Sequence, residues 1–155
     1  MTTKTQLQTK IQELEEELSS FKQQLSNYKE VTIETAKVGD VLEDGCIVLK
    51  KANGLALLVA PESTEVRATW SKEFPEVFKK LEEEGFNPSQ FFVPTKEQLD
   101  LAYQNIKNHF PSANYWSSTA ITATNACCQY FYNGDIHSFR KTCTLCVRAF
   151  RCVMY

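Results

Sequence analysis

Apolar residues in the first thirty positions recur as Leu7, Ile11, Leu14, Leu18, Phe21, Leu25 and Tyr28, in steps that alternate four and three without a slip. This is a heptad repeat, with Ile11, Leu18 and Leu25 at a and Leu7, Leu14, Phe21 and Tyr28 at d. The flanking charges agree with the register. Lys10 and Glu17 fall at g, and Glu15 and Lys22 at the following e positions. In a parallel, in-register assembly Lys10 faces Glu15 and Glu17 faces Lys22, and both pairs attract. No Gly or Pro interrupts the segment. An amphipathic helix packed on its own head is the alternative, but a strict a/d stripe is narrower than such a helix usually carries. Ile11 followed by Leu14 suits two strands. Leu at the later a positions, with Phe21 and Tyr28 at d, suits a wider core, and the expected assembly is a trimer.

From Val31 the period changes. Short β-rich runs are punctuated by Gly39-Asp40, Asp44-Gly45 and Asn53-Gly54, and the last pair lies between Ile47-Val48-Leu49 and Leu55 to Val59 as a hairpin turn. A helix is expected from about Ser71 to Glu84, with Phe74, Val77, Phe78 and Leu81 on one face, Pro75 in the first turn and Gly85 at the stop. A second helix is expected to begin at Thr95, where Thr95 and Gln98 form a capping box. Leu99, Ala102, Tyr103 and Ile106 follow at helical spacing. After Pro111 the pattern is β again. Asn133-Gly134 separates two strand-like runs, and a final strand is expected near Leu145 to Val153. The predicted chain is a coiled-coil oligomerisation stalk over residues 1–30 and an α+β head over 31–155.

The net charge of -2 recommends no nucleic acid or anionic polymer as partner. The N-terminus lacks the apolar centre of a signal peptide, and no apolar run is long enough to span a membrane. The expected protein is made in the cytoplasm and stays there, or leaves by a route that needs no signal.

Five of the six cysteines fall at Cys127, Cys128, Cys143, Cys146 and Cys152. Cys143 and Cys146 make a C-x-x-C that, with Cys127 and Cys128, offers four thiolates for zinc. Adjacent cysteines are unusual ligands, and strand alternation puts Cys143 and Cys146 on opposite faces. A redox C-x-x-C needs a helix N-terminus, and none is predicted there. No motif places a Ser or Cys beside His109 or His137. His109 is expected to flank its helix end and His137 to lie on the surface. Asp135 lacks the carboxylate company of a calcium site. Trp116 and Trp70 read as packing residues. Arg148 and Arg151, in the same run, are expected to point to different faces. No catalytic residue, metal or cofactor is expected.

The ordered segments VGDVLEDGCIVLKKANGLALLVAPES, FFVPTKEQLDLAYQNI, YWSST, YFYNGDIHSF and CVRAFR resemble the Lcl-type C-terminal domain family, first described at the end of a bacterial collagen-like adhesin. The resemblance covers about Val38 to Val153. It implies a C-type-lectin-like fold, as in phage receptor-binding heads, with the first and last strands paired, two helices on the sheet and an irregular ligand-contacting surface. It also implies adhesion to a cell surface, without naming the ligand. The departure lies after YWSST. In some C-type-lectin-like proteins this region is diversified by a retroelement that mutates adenines, and Cys127, Cys128, Tyr130, Tyr132, His137, Ser138, Phe139 and Cys143 are residue types that such mutation yields. The expected ligand-binding residues are Cys127, Cys128, Tyr130, Tyr132, His137, Phe139 and Cys143. Tyr130 and Tyr132 share one strand face, and Phe131 takes the other, core-facing side. The resulting expectation is a phage virion fibre or adhesin subunit that binds a host cell-surface glycan or protein and meets other virion proteins. The alternatives are a bacterial ligand-binding protein with the same head and a structural capsid or tail decoration.

Overall fold

A computed structural model describes residues 2–27 and 32–155. The chain divides into two units, Met1–Glu30 and Val31–Tyr155. The first holds one long helix, α1 (Lys4–Asn27). Its start is fixed locally: Gln6 N donates to Thr3 Oγ1 (3.2 Å) and Thr3 N donates to Gln6 Oε1 (2.8 Å), a capping box. Leu7, Ile11, Leu14, Leu18 and Phe21 are each more than half exposed, and Leu25 is 74% exposed. Tyr28, the last expected d position, lies outside the described residues.

The second unit is α+β, with two sheets and helices α2 (Pro75–Glu83) and α3 (Lys96–Ile106). The first sheet takes the order β1-β2-β9-β4, from β1 (Ile47–Ala52), β2 (Leu55–Val59), β9 (Phe150–Met154) and β4 (Phe91–Phe92). Asn53 (φ 54°) and Gly54 (φ 75°) close the β1-β2 hairpin in the left-handed conformation that a two-residue turn requires. The resemblance implied pairing of the first and last strands. The last strand instead pairs with β2, the second arm of the hairpin, and β1 stands at the edge. The start of that edge is covered: Gly39 N donates to Val48 O, Val48 N to Asp40 O and Leu42 N to Cys46 O.

The second sheet takes the order β3-β8-β5-β6-β7. Its strands are β3 (Val66–Ala68), β8 (Leu145–Val147), β5 (Asn114–Ala120), β6 (Asn125–Tyr130) and β7 (Ile136–Arg140). The single final strand expected near Leu145 to Val153 is therefore two strands in different sheets. The break falls at Arg148-Ala149. Arg148 is buried there, donating from Nε to Ala60 O (2.8 Å) and from Nη1 to His109 O (2.6 Å), with its guanidinium over the Phe110 ring. A charge can be buried this way because its donors reach backbone acceptors. It joins the hairpin exit, the end of α3 and the crossing between sheets.

The expected helix from Ser71 starts four residues later. Phe74 is left-handed (φ 44°), and its N–H is taken by Ser71 Oγ, so the chain turns before Pro75 opens α2. The expected box at α3 forms, with Gln98 N donating to Thr95 Oγ1 and Thr95 N donating to Gln98 Oε1. Two apolar cores result. One gathers Val48, Leu58, Val77, Leu81, Trp116, Cys128 and Val147. The other packs the Leu99, Ala102 and Ile106 face of α3 against Leu49, Val59, Tyr115, Phe131 and Phe150.

Candidate ligand-binding surface

Strand β6 lies between β5 and β7 and is buried on both faces from Ala126 to Gln129. Its odd residues face α3: Gln129 Nε2 donates to Asp100 Oδ1 (2.8 Å) and to Gly134 O (3.1 Å). Its even residues, Ala126 and Cys128, enter the Trp116 core. This corrects the expectation that Cys127 and Cys128 touch a ligand. They are 5% and 1% exposed, because an inner strand has no solvent face to offer. The backbone oxygen of Cys127 accepts from Ser117 Oγ (2.7 Å), and burial pushes the Cys128 thiol up to about 12.

The surface emerges where β6 leaves the sheet. Tyr130 is half-buried, Phe131 turns inward and Tyr132 is 59% exposed. The alternation expected for these three residues is therefore present. The Asn133-Gly134 turn that follows is tightly held. Gly134 N donates to Tyr130 O (2.7 Å), and Asp135 N donates to Asn133 Oδ1 (2.9 Å). A Cβ at Gly134 would strike the Tyr103 ring of α3, so this position needs glycine for space as well as for its φ of 83°.

β7 then returns alongside β6, placing Cys128 opposite His137 and Ala126 opposite Phe139. His137 and Phe139 fall on the Tyr130 face. The Tyr130 ring stacks on Tyr132 (centroids 5.2 Å apart), lies 4.3 Å from His137 and 5.9 Å from Phe139. Four of the seven expected contact residues are thus brought into one aromatic cluster around Tyr130. His137 Nε2 also lies 3.8 Å from Asp135 Oδ2. Cys143 stays apart. It sits in the turn after β7, its N–H donating to Arg140 O, and packs half-buried on the edge of the Trp116 core.

The remaining candidates take structural places. Trp116 is fully buried and donates from Nε1 to Ala68 O (3.0 Å). Trp70 donates to Ser117 O (2.8 Å) and carries the Lys141 ammonium 4.4 Å above its ring. His109 lies in a short turn after α3, where its carbonyl receives Arg148. Arg148 and Arg151 do part: Arg151 reaches Asp44 Oδ2 at 3.4 Å. Sequence reasoning missed one network altogether. The Tyr115 hydroxyl donates to the Glu65 carboxylate, and burial raises Glu65 above the ordinary glutamate range and lowers Arg148 from its usual value. Glu65 and Tyr115 lie 50 positions apart and Arg148 lies farther along the chain still, so no local pattern could expose it.

Among the described residues no group of three or more His, Cys, Asp or Glu could hold a metal ion. No helix among them is long and apolar enough to cross a membrane. Tyr132 also lines a cleft of about 300 Å³ with Arg67, Asn114 and Cys146. An apolar cleft of similar volume lies across β1, β2 and β9, where Leu55, Leu57 and Cys152 meet Phe92.

The thiols give a direct check on this placement. Burial raises both Cys46 and Cys128 to about 12, whereas Cys152 is exposed. The thiolate is the reacting species. At about pH 8 an aromatic disulfide reagent should label Cys152 first, and Cys152→Ser should remove that fast phase. Cys46, Cys127 and Cys128 should label only on unfolding. Native labelling of Cys127 or Cys128 at the Cys152 rate would show that β6 is not an inner strand.

No protein-family model matches the chain, and no curated protein matches it.

Proposed function

We propose that this chain is a subunit of a phage virion fibre or adhesin, whose C-type-lectin-like head binds a ligand on the host cell surface. The observation that carries the reading is the partly exposed cluster of Tyr130, Tyr132, His137 and Phe139 on β6 and β7. Aromatic side chains provide large contact area at low entropic cost, which suits a recognition surface. The cluster is held in place by a rigid turn and an inner strand, so little ordering is left to binding. The more than half-exposed apolar stripe of α1 supports the second element, a parallel trimeric coiled coil. Three heads on one stalk would raise avidity for a repeated surface ligand without any new contact.

The order of motifs from Val38 to Val153 supports the lectin-like reading. The residue types at Tyr130, Tyr132, His137, Ser138, Phe139 and Cys143 support diversification by a retroelement, with the buried Cys127 and Cys128 now outside the exposed set. Sequencing the gene's neighbourhood tests that part. A reverse transcriptase and a near-copy template are expected, and their absence would rule it out.

The binding claim is tested by competition. Purified full-length protein in excess should slow adsorption of the virion to its host. Chains carrying Tyr130→Ala or Tyr132→Ala should compete poorly while melting within about 2 °C of the original, since neither ring lies in a buried core, Tyr132 being 59% exposed and Tyr130 half-buried at the core's edge. Equal competition by all three chains would refute the assignment of the surface.

A further inference from the structure

We propose that the outer edge of β7 takes up an extended, acidic segment of a partner protein as an added strand. This rests on the reading of the β6-β7 surface as the ligand surface, and narrows its ligand to a protein.

The first argument concerns sheet edges. Each of the other three edge strands is short or interrupted. β1 is engaged at Val48 by residues 39 and 40 and its register shifts between Val48 and Lys50, β4 has two residues and β3 has three. β7 has five residues in continuous register with β6, with neither a bulge nor a proline. Proteins usually blunt such an edge, because its unpaired backbone groups are a template for another strand.

The second argument is the hydrogen-bond parity. Tyr130 N donates to Asp135 O at one end of the pair, and Lys141 N donates to Thr124 O at the other. With the register between them, this assigns Asp135, His137, Phe139 and Lys141 to the inward bonds with β6. The N–H and C=O groups of Ile136 and Ser138 and the N–H of Arg140 therefore point outward along the edge, while the Arg140 carbonyl accepts from Cys143 N (2.9 Å). A strand laid there would place alternate side chains on the face of His137 and Phe139, continuing the aromatic cluster, which is how strand addition acquires specificity.

The third argument is charge. Arg140 is exposed, and no ion pair engages it among the described residues. With Lys141 it lines an open cleft beside Ala123, Thr124 and Thr142. The carboxylate of this surface, Asp135, lies at the opposite end of β7 beside His137. An acidic residue on the added strand is therefore matched at the Arg140 end.

The test selects a displayed library of random peptides on the immobilised full chain and measures binding of the synthetic winners. Enriched peptides should alternate apolar residues and carry Asp or Glu. Ser138→Pro removes one outward donor at a position where an edge strand tolerates proline, and should weaken binding about tenfold or more at unchanged melting temperature. Arg140→Glu leaves the backbone alone and should weaken binding by a similar factor, so a poorly folding proline variant would not leave the question open. Three results would overturn the inference. One is no peptide enriched over a control protein. Another is winners that bind both variants normally. The third is a concentration-dependent doubling of mass that Ser138→Pro abolishes, which would make a second copy the occupant. If Tyr130→Ala and Tyr132→Ala abolish virion competition while Ser138→Pro and Arg140→Glu do not, the aromatic surface stands and the added strand falls. If none of the four matters, both fall.

Discussion

Phe131→Ala is expected to destabilise the 32–155 unit by about 3–5 kcal/mol, the largest single loss in the head that this account foresees. Phe131 is 5% exposed although it stands between two outward tyrosines. Its ring stacks on Phe110 at 4.5 Å and meets Tyr115 at 4.9 Å and Tyr103 at 5.6 Å edge-on. Its N–H donates to Ala113 O, which ties the start of the β6-β7 turn to the entry of β5. Truncation empties the centre of the α3 core, and the surrounding rings belong to three different elements that cannot all close on the gap. Chemical denaturation at constant m-value measures the loss. A cost below about 1 kcal/mol would place Phe131 outside the core.

Leu18→Asp is expected to turn the assembly into single chains while the head stays folded. Leu18 is the central a position of the heptad, and in the proposed trimer three copies meet at one level. Three carboxylates in that seam would lack partners, and one uncompensated buried charge alone costs about 3–5 kcal/mol. A helix of this size gains most of its stability from packing its apolar face, so the stalk should lose helicity as well. Light scattering at micromolar concentration should give about three times 17.7 kDa for the original chain and 17.7 kDa for the variant. Near-ultraviolet circular dichroism of the two should agree. A single-chain mass for the unmutated protein would refute the assembly.

The parts of this chain that could be read from sequence are those governed by neighbours in the chain. Asn53-Gly54 demands a two-residue turn, Thr95 with Gln98 demands a helix start, and Phe131 between Tyr130 and Tyr132 demands an inward ring; all three are present. The parts that misled depend on partners far away. Cys127 and Cys128 looked variable and exposed, because nothing local says that β6 will be flanked on both sides and covered on both faces. The VRAFR segment looked like one strand, because the wedge that splits it is the long-range bonding of Arg148 to Ala60 and His109. Pro75 promised a first turn but could not reveal that Phe74 would take a left-handed conformation before it. The aromatic cluster itself was half legible. Period-two alternation groups Tyr130 with Tyr132, whereas the approach of His137 and Phe139 follows from the register that the Asn133-Gly134 turn imposes.

The central claim is that the rings around Tyr130 meet the ligand. Its most direct test is a titration of labelled full-length protein onto host cells, run beside the Tyr130→Ala/Tyr132→Ala double variant. The account predicts that the double variant remains oligomeric, melts like the original and loses about tenfold or more in apparent affinity, with the loss multiplied by avidity. Binding of the double variant at the original affinity, with both proteins folded, would contradict it.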